Sequence, residues 1–139
     1  MHQVARYTVS MDERLLSRFD QLIKHRGYAN RSEAIRDLIR DALVEEQWGD
    51  PKEKVAATVT LIYDHHAADV AERLTEAQHH HGEVVVATTH VHLDNDNCLE
   101  VVILRGDCKS VRSLADHLVA LKGIKHGKAV FTTEGQELW

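Results

Sequence analysis

The chain has 139 residues, enough for one ordinary domain or for two small ones that lean on partner chains. A hydrophobic content of 43%, a charged content of 28%, a single proline (Pro51) and seven glycines describe a soluble, globular chain and exclude a low-complexity one. No apolar run is long enough to span a membrane, the alternating start from Met1 to Asp12 is not a signal peptide, and two cysteines, Cys98 and Cys108, fit a reducing cytosol, so a cytoplasmic protein is expected. Charge is distributed unevenly. Residues 1–40 carry eight Lys and Arg against five Asp and Glu, residues 41–139 carry nine against seventeen, and the total is −5. A basic head on an acidic body fits one DNA-facing end. Eleven histidines, clustered in the second half, are the more unusual signal.

In chain order, Arg6-Tyr7-Thr8-Val9-Ser10-Met11 alternates strictly. That predicts a strand with Arg6, Thr8 and Ser10 on one face and Tyr7, Val9 and Met11 on the other. From Asp12, the spacing of Leu15, Leu16, Phe19, Leu22 and Ile23 predicts a helix that Gly27 stops. Asn30-Arg31-Ser32-Glu33 has the form of a capping box, and Ala34, Ile35, Leu38, Ile39, Ala42 and Leu43 give the following helix an inner face. One strand forms no sheet alone and two amphipathic helices bury little, so the unit of residues 1–47 requires a second copy. Gln47-Trp48-Gly49-Asp50-Pro51 breaks the helix, and residues 48–53 are expected to form a linker. Residues 54–139 then read as strand 55–63, helix 67–80, strands 83–92 and 98–105, helix 110–121 and strand 125–132. The order β-α-β-β-α-β is the ferredoxin-like arrangement, and the fold class is α+β.

Two copies of the first strand, paired antiparallel, form a ribbon that enters a DNA major groove. Arg6 can then address guanine with two hydrogen bonds, and Thr8 and Ser10 can reach base edges. The pattern alone would also suit an edge strand with a solvated face; the helix pair behind it favours DNA. The start of the second helix, at Asn30, Arg31 and Ser32, offers free N–H groups and a cation to a phosphate.

His90 and His92 lie two apart on a predicted strand and so face one side. Asp94-Asn95-Asp96-Asn97 turns the chain, and Cys98 begins the return strand. A hairpin can thus bring two imidazoles and a thiolate together, and one of His79, His80 and His81 at the preceding helix end can add a fourth donor. Three nitrogens and one sulfur suit zinc, copper(II) or nickel(II), and spacing does not choose among them. A metal store without a DNA role would explain the histidines but not the ribbon and helix pair. A catalytic metal keeps one position open, which four protein donors would close, so an enzyme is not expected.

Over roughly residues 5–133 the chain resembles the NikR family of nickel-responsive regulators. The stretch from Arg26 to Asp37 is similar to that family's helix junction, and the run from Gln78 through the three histidines is similar too. The strongest match is Thr89-His90-Val91-His92-Leu93-Asp94 together with Cys98-Leu99-Glu100. The resemblance implies a ribbon-helix-helix dimer joined to an ACT-like domain that assembles two dimers into a tetramer. It implies one Ni2+ per subunit in a square plane at the tetramer interface, held by His90, His92 and Cys98 of one chain and His79 of a neighbour. His80 and His81 would not be ligands, and Cys108 would be structural. Glu33 and Asp37 match positions that hold a further cation, although a cap and an exposed acidic face explain them equally. The implied function is nickel-dependent binding to double-stranded operator DNA, repressing nickel uptake. One departure stands out: Asp64-His65-His66-Ala67-Ala68 lacks the Lys or Arg that could hold a DNA backbone from the second domain, leaving His65 and His66 as weak metal binders or solvated side chains.

Overall fold

A computed structural model of the chain describes residues 3–67, 69–136 and 138–139. It contains two compact units, Met1–Asp41 and Ala42–Trp139.

In the first unit the strand predicted over Arg6–Met11 is not formed, and residues 3–12 have no regular secondary structure. The reason is physical: a strand's N–H and C=O groups need a neighbouring strand, and one chain supplies none here. Helix α1 spans Glu13–His25 and starts where Asp12 accepts a hydrogen bond from the Arg14 backbone N–H at 2.8 Å. It ends as predicted. Gly27 has φ +81°, while Gly27 N–H donates to the Lys24 carbonyl and Tyr28 N–H to the Ile23 carbonyl. That pair of bonds satisfies the last free carbonyls of the helix and needs the left-handed residue that glycine supplies. Helix α2 spans Arg31–Gln47, so that its last six residues belong to the second unit, and Asn30 Oδ1 accepts from Glu33 N–H at 2.9 Å. Only this half of the capping box forms, because the Glu33 carboxylate pairs with Arg36 instead.

The second unit follows the predicted order: β1 (Lys54–Asp64), α3 (Val70–His80), β2 (Val85–His92), β3 (Asn97–Asp107), α4 (Cys108–Val119) and β4 (Ile124–Thr133). The sheet order is β2-β3-β1-β4, with all neighbours antiparallel. This is the ferredoxin-like topology expected of an ACT-like domain. In β1 every second residue is buried, from Val55 through Ala57, Val59 and Leu61 to Tyr63. These meet Val111, Leu114, Ala115 and Leu118 of α4 and Val70, Leu74 and Ala77 of α3 in one core. Asp107 caps α4, accepting from Ser110 N–H at 3.0 Å. Gly123 has φ +99°, and a Cβ there would run into Val70. Helix α3 starts at Val70, later than predicted, and Ala68 of the predicted start lies outside the described residues. Trp48 packs its ring on Phe131, 4.6 Å between centroids, beneath the Arg112 guanidinium.

Candidate metal centre

Strand register builds the site. His92 of β2 and Tyr63 of β1 both lie opposite Cys98 of β3, and His90 lies opposite Glu100. Residues directly opposite share a face. Cys98 and Glu100 are buried, so this is the face the helices cover. The turn between β2 and β3 is held by Asp94, whose Oδ1 accepts from the backbone N–H of Asp96 at 2.8 Å and of Asn97 at 2.7 Å. The Asn97 side chain and these backbone donors hold the Asp94 carboxyl down to about 2. A turn stapled in this way fixes His92 against Cys98.

The His92 Nδ1 lies 3.6 Å from the Cys98 Sγ. Burial first, and then the charges of Asp64, Asp94 and Glu100, push the Cys98 thiol up. A field that resists a thiolate attracts a dication, whose binding displaces the thiol proton.

His90 sits differently. Tyr63 donates its hydroxyl proton to Glu100 Oε1 at 3.2 Å, and His90 Nδ1 lies 3.1 Å from the same hydroxyl and 3.4 Å from that carboxylate oxygen. With the phenol proton committed to Glu100, Nδ1 is the donor, which leaves the Nε2 lone pair free to bind a metal. Glu100 Oε2 also accepts from Gln78 Nε2 at 2.9 Å, and Gln78 Oε1 accepts from the Thr88 hydroxyl at 2.7 Å. The carboxylate that orients His90 thereby holds the residue preceding His79.

His79 is exposed at the end of α3, its ring 6.3 Å from that of His80. Among the described residues, the donors that lie together are His65, His92 and Cys98, all within 4.8 Å of one another. The His90 and His92 rings are 5.2 Å apart, but His90 is not in this group. The chain thus brings together two of the four expected ligands, places a third beside them and leaves His79 apart. His65 was legible only as a loose histidine, because nothing local in the sequence says that the end of β1 adjoins the β2–β3 turn. Cys108 is buried, and its thiol donates to the Trp48 carbonyl at 3.4 Å, a packing role.

In the first unit Arg6, Thr8 and Ser10 are exposed, as are Asn30, Arg31 and Ser32. Arg31 forms a bidentate pair with Asp20, both bonds at 2.8 Å. Glu33 pairs with Arg36, while Asp37 accepts from the Tyr28 hydroxyl at 2.8 Å and from Arg40 at 2.9 Å. Both carboxylates of the suggested second cation site therefore already have protein donors.

Comparison with known proteins connects the two units. Residues 5–46 match the ribbon-helix-helix protein family, and residues 56–132 match the NikR C-terminal nickel-binding domain. A protein of Geobacter sulfurreducens is 54% identical and one of Geobacter metallireducens 51% identical, each over 138 residues covering 99% of both chains; both are named as nickel-responsive regulators. The fold is shared with an uncharacterized protein of Thermotoga maritima, with a TM-score of 0.50 and 16% identity over 57% of this chain and 98% of that one. A ribbon-helix-helix module followed by a nickel-binding module defines a metal-responsive transcription regulator, not an enzyme. The chain belongs to the NikR family of nickel-responsive regulators.

Proposed function

We propose that this protein is a cytoplasmic repressor of nickel uptake genes that binds operator DNA when nickel is abundant. Residues 1–47 would act as the DNA-binding module, residues 48–53 as the linker, and residues 54–139 as the sensing and tetramerisation module. The observation that carries the reading is the hairpin: His92 Nδ1 and Cys98 Sγ 3.6 Å apart, with His90 beside them, its Nδ1 3.1 Å from the Tyr63 hydroxyl.

One Ni2+ per subunit would be held by His90, His92 and Cys98 of one chain and His79 of a neighbour. Bound there, the ion would tie two chains together, since its donors come from both. A second copy is supported by two features. His79 stands outside the donor group of its own chain. The uncovered sheet face carries exposed Val91, Ile103 and Val130, an apolar surface that a homotetramer, a dimer of dimers, would cover. The bond from Gln78 to Glu100 supplies a physical route, since ordering His79 and orienting His90 act on one carboxylate. Arg6, Thr8 and Ser10 would read bases, with Asn30, Arg31 and Ser32 at the phosphates. Glu33 and Asp37 would reach a further cation only by giving up their present partners.

Linkage requires that if nickel raises DNA affinity, DNA raises nickel affinity by the same factor. The test is an equilibrium operator titration with and without nickel, with zinc and copper(II) as controls. Equal DNA affinity with and without nickel overturns the reading. Mixing His79→Ala chains with Cys98→Ala chains tests the shared ligand: sharing restores part of the thiolate-to-nickel absorption, and no recovery after verified subunit exchange assigns all four ligands to one chain.

A further inference from the structure

We propose that a single chain captures a divalent metal in a three-donor site formed by His65, His92 and Cys98, before His79 and His90 are engaged. The inference rests on the reading of His92 and Cys98 as ligands and adds the step by which metal reaches them.

Three independent observations carry it. The three donor atoms lie within 4.8 Å of one another in one chain, with no help from a neighbour. The His65 Nδ1 is buried and has no hydrogen-bond partner among the described residues. Buried polar atoms rarely stay unpaired, and such an atom beside a thiol and an imidazole is placed as a ligand would be. The position is also fixed. His65 N–H donates to the Asp96 carbonyl at 2.9 Å, clipping the end of β1 to the turn between β2 and β3. The His65 ring then stands edge-on to that of His92, 5.0 Å between centroids.

The shared donors His92 and Cys98 already stand at a spacing that one ion can bridge. With bonds of about 2.0 Å to nitrogen and about 2.3 Å to sulfur, two ligands are about 3.5 Å apart at a tetrahedral angle and about 3.0 Å apart at a right angle. The observed 3.6 Å between His92 Nδ1 and Cys98 Sγ matches the tetrahedral value. Two imidazoles, a thiolate and one water make a site for zinc, cobalt(II) or nickel in transit. The Cys98 thiol proton leaves to solvent as the metal binds. The two sites share His92 and Cys98, so one chain fills only one of them. Passage to the square plane exchanges His65 and water for His90 and the neighbour's imidazole. The capture site thus gives metal a place on a chain whose partner ligand has not yet arrived.

The test uses the full chain and cobalt(II) alone. A His79→Ala/His90→Ala variant removes two ligands of the square plane but none of the capture site. It should still bind cobalt with thiolate-to-metal absorption and tetrahedral ligand-field bands. Adding His65→Ala should weaken that binding by at least about tenfold, and adding His66→Ala should change it by less than about twofold. His65→Gln, which keeps a polar side chain of similar length, should behave as His65→Ala; circular dichroism checks that each variant is folded. With His79 and His90 present, His65→Ala should slow the rise of the nickel absorption while leaving its final amplitude unchanged. Cobalt affinity independent of His65 overturns the capture site and leaves the proposed nickel plane standing. Absence of any thiolate-to-nickel absorption in the parent protein removes both.

Discussion

The two units of this chain bury their apolar residues very differently. In Ala42–Trp139 the large inward side chains are sealed: Leu61, Leu104, Leu114 and Leu118 are 0% exposed. Among the described residues of Met1–Asp41 only Ile23 and Ala34 are buried, while Tyr7 is 65%, Val9 57% and Leu15 60% exposed. Alternation and helical spacing are equally clear in both sequences, so patterning alone does not make a core. A four-stranded sheet with two helices closes on itself, whereas one extended segment and two helices do not. The first unit leaves its apolar face exposed in the single chain, which fits the proposal that this face pairs with a second copy.

The sharpest test of the division of labour is to damage one unit and read the other. Cys98→Ala should abolish the thiolate-to-nickel absorption and, with it, the nickel-dependent gain in DNA binding measured by mobility shift. Cys108→Ala, a change in packing only, should preserve both. Retained nickel-dependent binding in Cys98→Ala would separate the two units functionally. Core substitutions come next. Leu114→Ala should cost about 2–5 kcal/mol in denaturant unfolding, as deletion of a fully buried leucine does. A fragment of residues 1–47 should instead melt at a temperature that rises with protein concentration. A concentration-independent melt from a monomeric fragment would make the first unit self-sufficient and dissolve the contrast.

A smaller effect is expected at the DNA surface. Arg6→Ala should weaken operator binding by about 1–3 kcal/mol with nickel affinity unchanged. Equal operator affinity of variant and parent would take Arg6 out of base reading. The smallest concerns pH. Hydrogen bonds from the Ser110 backbone and side chain lower the Asp107 carboxyl below its ordinary 3.8. A depressed carboxyl adds stability above its unfolded value that is lost as pH falls through the folded one. Asp107→Asn keeps a capping acceptor but does not titrate, so it should flatten the acid limb of the melting-temperature profile slightly. An acid limb identical to the parent's would show that this cap contributes nothing measurable to the second unit.

What the sequence determined by itself is local. Asp12, Asn30 and Gly27 mark helix ends through their own backbone chemistry, and strict alternation reveals β1 and its buried face without knowledge of its neighbours. His90, His92 and Cys98 could be grouped because a short turn brings the two strands of one hairpin together. The tertiary structure decided what depends on distant strands. The order β2-β3-β1-β4 sets the end of β1 beside that hairpin, which brings His65 to Cys98 and the Tyr63 hydroxyl to His90. It also left His79 outside the group and Arg6–Met11 without a strand partner. The physical reason is the same in each case: periodicity records which face a residue takes within its own element, whereas adjacency between elements is set by how a whole sheet, or a second chain, buries its surface.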